Sequence, residues 1–174
     1  MINHDLTQIR AFCFDVDGVL SGNLVILFNN DQPHRTANIK DGYALHHAAR
    51  LGYPMAIITG GKSPAVRQRY EGLGLTDIYD CASVKIHAFR QWLQKRGLRP
   101  EEVLYMGDDI PDYEVMQHCG LPCCPADAAT EIKAISTYVS PSPAAKAASA
   151  TSWSKSSAPK ANGCTTPKPS DGEV

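Results

Sequence analysis

The chain alternates short apolar runs with stretches whose apolar residues recur at helical spacing. Short apolar runs bounded by polar residues favour buried parallel strands, which are covered on both faces. Strands are predicted over residues 9–14, 54–59, 77–79 and 102–106. Helices are predicted over residues 41–51, 63–70, 84–96 and 112–118, and segments 121–123, 128–134 and 138–139 close the pattern. This alternation predicts an α/β fold, a doubly wound parallel sheet with helices on both faces.

An insertion follows the first predicted strand. Residues 23–29 are mostly apolar, residues 30–33 are rich in turn-forming types, and residues 34–37 complete the return. This order predicts a small β-hairpin between the first strand and the first helix.

Polar residues stand where three predicted strands end, namely Asp15 with Asp17, Thr59, and Asp108. The carboxyl ends of parallel strands share one edge of a sheet, and ligands bind there, near the point where the strand order reverses. We therefore expect these side chains to converge on one crevice. Taken singly, DVDGV is also typical of an acidic turn, and GDDIPD at residues 107–112 is also typical of a helix start.

Several carboxylates around one crevice repel each other unless a cation is present. Hard oxygen ligands suit Mg²⁺, although ligand type alone does not separate Mg²⁺ from Mn²⁺. Thr59, with the backbone N–H groups of Gly60 and Gly61 ahead of a helix, predicts an anion cradle. Lys85, at the start of its helix, adds an ammonium beside the acids or a phosphate. Together these groups indicate phosphoryl transfer, with Thr59 and Lys85 among the catalytic residues.

The two acids of DVDGV suit different tasks. Asp15, with a reference pKa of about 3.9, is ionised at neutral pH and needs no base to attack phosphorus. Asp17 would protonate the leaving alkoxide and later take a proton from water. Asp108 would hold Mg²⁺ together with Asp15, while Asp109 or Asp112 supports the cluster. Their separate roles stay open.

The order DVDGV, ITGG, Lys85 and GDDIPD resembles the four motifs of the haloacid dehalogenase-like phosphatase superfamily. The resemblance covers about residues 8–140. It implies a Rossmann-like core in which Asp15, Asp108 and the main-chain carbonyl of Asp17 bind Mg²⁺. The short interval between the first two motifs leaves room for the hairpin and for no cap domain.

The hairpin, NIKDG at residues 38–42 and the run ITGGKSPAVR are similar to the 3-deoxy-D-manno-octulosonate 8-phosphate phosphatases. This resemblance implies hydrolysis of that sugar phosphate for lipopolysaccharide synthesis, by a homotetramer whose hairpins and C-terminal segments cover a neighbour's active site. It maps substrate-binding basic residues to Lys40 and Lys62, beside Thr59, Gly60 and Lys85. Gly61 departs from the family, where arginine is common.

Two other functions are compatible with the same motifs. One is a phosphatase for a nine-carbon sialic-acid-type sugar phosphate. The other is a non-catalytic oligomerisation module, related to domains attached to sugar nucleotidyltransferases, although intact Asp15, Asp17, Lys85 and Asp108 speak against it. A receiver-type phosphoacceptor would leave Asp17 and the hairpin without a role.

Composition narrows the partners. A net charge of −1 and the lack of a basic run argue against nucleic-acid binding. No apolar stretch approaches the roughly 20 residues that span a bilayer, and the first residues lack a secretory pattern, which favours a cytoplasmic protein. The six cysteines lack the paired spacing of a zinc site and predict buried or incidental thiols.

The composition changes at residue 141. Residues 1–140 are predicted to form the phosphatase domain, while residues 141–174, rich in Ala, Ser, Lys and Pro, are predicted to be disordered. Read with each codon boundary displaced by one base, residues 145–164 permit GCVRDVVEQVLRAQGKWM, an amphipathic helix of the kind that the resemblance implies. We therefore hypothesise a frameshifted C-terminus, which would weaken substrate affinity, discrimination or assembly rather than the chemistry. Resequencing the 3′ end of the gene tests this hypothesis, and an in-frame read with no insertion or deletion would contradict it.

Overall fold

The computed structural model describes residues 5–27, 29 and 32–146. Its six strands are β1 (Ala11–Phe14), β2 (Met55–Ile58), β3 (Asp77–Tyr79), β4 (Val103–Met106), β5 (Leu121–Cys124) and β6 (Tyr138–Val139). Its five α-helices are α1 (Ile39–Arg50), α2 (Pro64–Gly72), α3 (Lys85–Arg96), α4 (Tyr113–His118) and α5 (Thr130–Ile135). Short 3₁₀ turns cover Leu6–Gln8, Pro100–Glu102 and Ile110–Asp112. The predicted alternation is confirmed, with boundaries shifted by one or two residues.

The strands form one parallel sheet in the order β3-β2-β1-β4-β5-β6. The chain fills the sheet outward from β1 in one direction, then crosses back to β4 and continues in the other. The strand order therefore reverses between β1 and β4, where Phe14 lies opposite Met106. A crevice opens at such a reversal, beyond the carboxyl ends of the two strands. The residues that follow β1 and β4 are thus neighbours in space.

Helices cover both faces of the sheet, which confirms the doubly wound architecture. Phe12 and Phe14 of β1 belong to one core cluster, with residues of α1 and α2. Ala11 and Cys13 point the other way, into a second cluster with residues of α3, α4 and α5. This alternation follows from the two-residue period of a strand. None of the described helices combines the length and the apolarity needed to cross a bilayer.

Local sequence sets the ends of the helices that border the site. Asn38 caps α1, and its side-chain oxygen accepts hydrogen bonds from the N–H groups of Lys40 and Asp41 at 2.7 and 3.3 Å. Ser63 caps α2 in the same way, with Pro64 in the first turn. These are ordinary helix-start signals. They fix where each loop at the crevice ends.

The hairpin segment is less regular than the sequence predicts. Ile26 and His34 form a single antiparallel bridge through two backbone hydrogen bonds, and no longer ladder occurs among the described residues. The apolar side chains of the outgoing arm, Leu24, Val25, Ile26 and Leu27, are 39–83% exposed. Within one chain this arm has no core to pack against, so its apolar residues do not lock a strand register. The described residues contain no separate cap domain.

The folded part continues past the predicted boundary at residue 140. The N–H of Ala145 donates to the carbonyl of Val19 at 3.0 Å, and the side chain of Asn38 donates to the carbonyl of Ala145 at 2.6 Å. Residues 141–146 are therefore held by backbone partners on the domain. The predicted disorder and the frameshift hypothesis otherwise fall on residues 147–174, which lie outside the described residues.

Asp77 anchors the amino end of β3, at the opposite edge of the sheet from the crevice. Its buried carboxylate accepts hydrogen bonds from Trp92 Nε1 at 3.1 Å, Lys95 Nζ at 2.6 Å and Arg96 Nε at 2.6 Å. Burial would raise the pKa of Asp77, but the hydrogen bonds and charges of Lys95 and Arg96 outweigh it and lower the pKa. The stabilisation by Asp77 is therefore present above pH ~4 and is lost as pH falls below it.

We expect Asp77→Ala to lower the free energy of unfolding by about 2–3 kcal/mol, because a buried indole N–H and two cations lose their acceptor. Urea unfolding at neutral pH measures this loss, and the deficit should shrink toward pH 3. Glu114→Ala is the control, since Glu114 forms only an exposed 3.9 Å pair with Arg90. Equal losses for both variants would contradict the role assigned to Asp77.

Candidate active site

The residues after β1, β2 and β4 line one cavity of ≈ 390 Å³ at the strand-order reversal. The cavity brings together most of the residues predicted from the sequence, which are Asp15, Asp17, Thr59, Gly60, Lys85, Asp108, Asp109 and Asp112. Asn23 and Ser83 also line it, and sequence reasoning did not identify them. The expected convergence of strand-end residues is therefore present in the fold.

Lys85 bridges two acids at the floor of the cavity. Its Nζ lies 2.8 Å from Asp15 Oδ2 and 2.8 Å from Asp112 Oδ1, and all three side chains are buried. Burial would lower the pKa of Lys85, but the charges of Asp112 and Asp15 raise it above its usual value. The ammonium is therefore a fixed positive charge beside Asp15. The first position of α3 sets this placement.

Asp112 holds Lys85 and is itself held from two sides. Its Oδ1 accepts a hydrogen bond of 2.6 Å from the hydroxyl of Tyr105, and its Oδ2 accepts one of 3.2 Å from the N–H of Asp108. Asp112 is thus an anchor within the acidic group, while Asp109 is exposed and caps the turn at Ile110. Tyr105 was missed from the sequence, where a tyrosine inside a buried strand is indistinguishable from a core residue.

The acids fit a hard divalent cation. One carboxylate oxygen each from Asp15, Asp108 and Asp112 lies within 4.8 Å of the others, and Asp108 Oδ1 is buried without a hydrogen-bond partner. Burial, followed by the charge of Asp112, raises the pKa of Asp15 to about 8 and that of Asp108 to about 7. An unpaired buried carboxylate oxygen is costly, and a cation would satisfy it. The reference pKa expected for Asp15 therefore does not hold in the cavity unless a cation is bound.

Gly18 allows the loop after β1 to approach this acidic group. Its φ is +83°, and a Cβ at this position would overlap the carboxylate of Asp108. A residue with a side chain would be strained there and would also displace Asp108. The glycine of DVDGV is thus favoured both by its backbone conformation and by the close approach of the Asp108 side chain.

Asp17 forms an ion pair with Arg35, a residue that sequence analysis did not identify. Arg35, on the returning arm of the hairpin segment, donates from Nε to Asp17 Oδ1 at 2.6 Å and from Nη2 to Asp17 Oδ2 at 2.9 Å. This bidentate arrangement is the strong form of an arginine–carboxylate pair. An isolated arginine in a turn-rich segment carries no sequence signal that predicts it.

Thr59 lies buried at the end of β2, as predicted. Its Oγ1 accepts a hydrogen bond of 3.2 Å from the N–H of Gly61, so this N–H is directed at Thr59 and not at the cavity. The predicted anion cradle is therefore smaller than the sequence implies and includes the Thr59 hydroxyl and the loop at Gly60. The space that a side chain on Gly61 would occupy is taken by the guanidinium of Arg35.

Lys40 and Lys62 do not reach the cavity within this chain. Both are exposed, and neither belongs to the residues that line it. Lys40 instead borders a separate cavity with Ala145 and Lys146. Their assignment to substrate binding stays a prediction. The described cysteines are free thiols, buried at Cys13, Cys123 and Cys124, partly buried at Cys119 and exposed at Cys81, while Cys164 lies outside the described residues.

Comparison with known proteins agrees with this architecture. The family profile of the haloacid dehalogenase-like hydrolases matches residues 71–149. The 3-deoxy-D-manno-octulosonate 8-phosphate phosphatase of Escherichia coli K12 is 41% identical over 121 residues, which cover 70% of this chain and 64% of that protein. The match thus spans slightly less than two thirds of the curated relative's length.

Two solved structures share the whole architecture. The 3-deoxy-D-manno-octulosonate 8-phosphate phosphatase of Yersinia pestis is 30% identical, with a TM-score of 0.85 over 88% of this chain and 83% of that one. The Moraxella catarrhalis enzyme of the same name, solved with a magnesium ion, a phosphate ion and KDO, is 25% identical, with a TM-score of 0.84 over 88% of each chain.

The parallel sheet, with acids after β1 and β4 and a lysine at the start of α3, defines a hydrolase core of the haloacid dehalogenase type. The chain belongs to the haloacid dehalogenase-like hydrolase family. Within that family it is similar to the 3-deoxy-D-manno-octulosonate 8-phosphate phosphatases. The resemblance drawn from its motifs is thereby confirmed.

Proposed function

We propose that the chain is a Mg²⁺-dependent phosphatase that hydrolyses 3-deoxy-D-manno-octulosonate 8-phosphate and releases the free sugar acid and phosphate. One observation carries the proposal: Asp15, Asp108 and Lys85 meet in one cavity, in a chain similar to phosphatases of that name. The cavity of ≈ 390 Å³ is large enough to receive a phosphoryl group together with part of a sugar.

Asp15, Asp108 and the main-chain carbonyl of Asp17 would hold Mg²⁺. When bound, the ion would neutralise the acids and the developing charge on the phosphoryl oxygens. The bound Mg²⁺ and phosphate in the Moraxella catarrhalis relative support this assignment. Burial and the charge of Asp112 raise the pKa of Asp15, and a bound ion would oppose that shift.

The side chains divide the reaction into two halves. Asp15 attacks phosphorus and forms an aspartyl-phosphate, while Lys85, 2.8 Å from its Oδ2, balances the charge. Asp17 gives a proton to the departing sugar oxygen and later takes one from the water that cleaves the aspartyl-phosphate. Thr59 orients the phosphoryl group with its hydroxyl. Asp112 and Tyr105 keep Lys85 in place.

The exposed apolar arm of the hairpin segment supports self-association. Leu24, Val25, Ile26 and Leu27 are 39–83% exposed, which is unusual for consecutive apolar residues on a monomer. We propose that this arm packs against other copies in a homotetramer. The cytoplasmic location also stays a prediction.

Phosphate release from a panel of sugar phosphates tests the proposal. We expect Mg²⁺-dependent release from 3-deoxy-D-manno-octulosonate 8-phosphate to exceed release from a nine-carbon sialic-acid-type phosphate, and EDTA to abolish both. Preference for the nine-carbon substrate would favour the sialic-acid-type phosphatase. This candidate stays open because Gly61 stands where arginine is common in the family. No Mg²⁺-dependent release from any substrate, with Mg²⁺ binding intact, would favour the non-catalytic oligomerisation module.

A further inference from the structure

Arg35 stands between two cavities. The guanidinium holds Asp17, which lines the catalytic cavity of ≈ 390 Å³. Arg35 also lines a cavity of ≈ 490 Å³ between the returning arm of the hairpin segment and the start of α2. A small space of ≈ 10 Å³, bordered by Val16, Arg35, Thr59 and Gly61, shares lining residues with both cavities. The Arg35–Asp17 pair therefore lies at the boundary between the two cavities.

The guanidinium of Arg35 is oriented to bind a carboxylate through two parallel hydrogen bonds. Two of its nitrogens contact the two oxygens of Asp17, while Nη1 donates to the carbonyl of Pro33 at 3.1 Å, which fixes the plane of the group. The side chain of Arg35 is only 11% exposed, whereas that of Asp17 is 37% exposed. The arginine is therefore the fixed partner, and Asp17 is the accessible one.

Gly61 makes room for this arrangement. A Cβ on residue 61 would lie 2.8 Å from Arg35 Nη2, closer than such atoms approach in proteins, and 3.5 Å from Asp17 Oδ2. The φ of Gly61 lies outside the left-handed range, so the backbone itself would accept alanine. The guanidinium of Arg35 therefore occupies the space that a side chain at residue 61 would need. Its position depends on glycine at residue 61.

The two hydrogen bonds from Arg35 use one acceptor position on each oxygen of Asp17 and hold the carboxylate in one orientation. A carboxylate on the substrate has the same shape and charge as the Asp17 side chain and can take its place on the guanidinium. The phosphoryl group cannot do so while it lies against Asp15 and Lys85, on the other side of Asp17.

We propose that Arg35 is a specificity-determining residue that binds the carboxylate of an acidic sugar phosphate in exchange for Asp17. The exchange releases Asp17 from the orientation that Arg35 imposes, so that recognition of the acid and movement of Asp17 occur together. The inference rests on the proposed function and deepens it by naming the residue that recognises the carboxylate of that substrate. It also means that the hairpin segment, through Arg35, contacts the substrate in the active site of its own chain.

Three substrates distinguish recognition of the carboxylate by Arg35 from a general effect of Arg35 on catalysis. They are 3-deoxy-D-manno-octulosonate 8-phosphate, its analogue with the carboxylate reduced to a hydroxymethyl group, and p-nitrophenyl phosphate. We expect Arg35→Met to lower kcat/KM about 30-fold for the acid, the loss of one charge-assisted pair, and less than 3-fold for the other two. Arg35→Lys should fall between Arg35→Met and the unaltered chain, because it keeps the charge without the two parallel hydrogen bonds.

Gly61→Ala tests the same contact without removing the charge. Its Cβ should push the guanidinium off its position and reduce kcat/KM for the acid by about 5-fold, and the Ki of the free sugar acid should rise in parallel. Arg90→Met is the control, since Arg90 lies on an exposed face of α3. It should leave all constants unchanged.

The inference would be overturned if Arg35→Met left the ratio of kcat/KM for the acid to kcat/KM for its reduced analogue unchanged, whether both values fell equally or neither fell. Either result leaves the proposed function standing. If the unaltered chain hydrolyses p-nitrophenyl phosphate but not the sugar acid phosphate, the proposed function fails, and the inference fails with it.

Discussion

Replacing Asp15 with asparagine is expected to lower the rate of phosphate release by at least ~10⁴-fold, the scale on which enzymes lose activity when a covalent nucleophile is removed. The amide is uncharged and cannot form the aspartyl-phosphate. Steady-state phosphate release in saturating Mg²⁺ measures the loss. Acid-quenched protein should carry phosphate in the unaltered chain and none in Asp15→Asn.

The structure also predicts that this variant folds well. Burial and the nearby Asp112 disfavour the charge of Asp15, so a neutral side chain of the same shape should not reduce the melting temperature in the absence of metal. Glu114→Gln is the control for loss of a carboxylate, because Glu114 is exposed, pairs with Arg90 at 3.9 Å and does not line the cavity. It should retain activity within about 3-fold. Equal phosphate release by Asp15→Asn and the unaltered chain would eliminate Asp15 as the nucleophile.

Much of the fold and of the acidic centre follows from residue order alone. A parallel sheet requires apolar strands and brings the residues that follow them to one edge. The positions of Asp15, Thr59 and Asp108 after apolar runs therefore predict their convergence, and the structure places all three on one cavity. Lys85 could be predicted for a similar reason, since the first turn of α3 begins at the same edge.

Contacts that depend on side-chain direction could not be predicted in this way. The pairing of Arg35 with Asp17 joins an irregular segment to a strand end, and no periodic pattern fixes where such a segment returns. The length of the hairpin was overestimated for a related reason. Its apolar residues satisfy a strand pattern, but within one chain they have no sheet face to cover.

The pKa of Asp15, the proposed nucleophile, is also not predictable from the sequence. A reference value of about 3.9 applies to a solvated aspartate, whereas Asp15 is 6% exposed and lies beside Asp112. Depth and neighbours, not residue type, decide its charge. The dependence on a cation is consequently a property of the folded site.

Gly18→Ala should reduce kcat/KM by roughly 10²- to 10³-fold, because the added methyl group overlaps the carboxylate of Asp108 and displaces it from the acidic group. The Mg²⁺ concentration for half-maximal activity should rise as well. Alanine at φ +83° also costs about 1–2 kcal/mol of stability, so a matched backbone control is needed.

Gly52→Ala provides that control. Gly52 has nearly the same φ, +80°, but a Cβ there meets nothing within 4 Å. We expect both variants to unfold at similarly reduced urea concentrations, while only Gly18→Ala loses activity and affinity for Mg²⁺. If the two variants lost activity equally, the effect would belong to backbone strain, and the close approach of Gly18 to Asp108 would have no catalytic role. If they differ as expected, the glycine in DVDGV is required chiefly by the carboxylate beside it, and the turn conformation alone does not explain it.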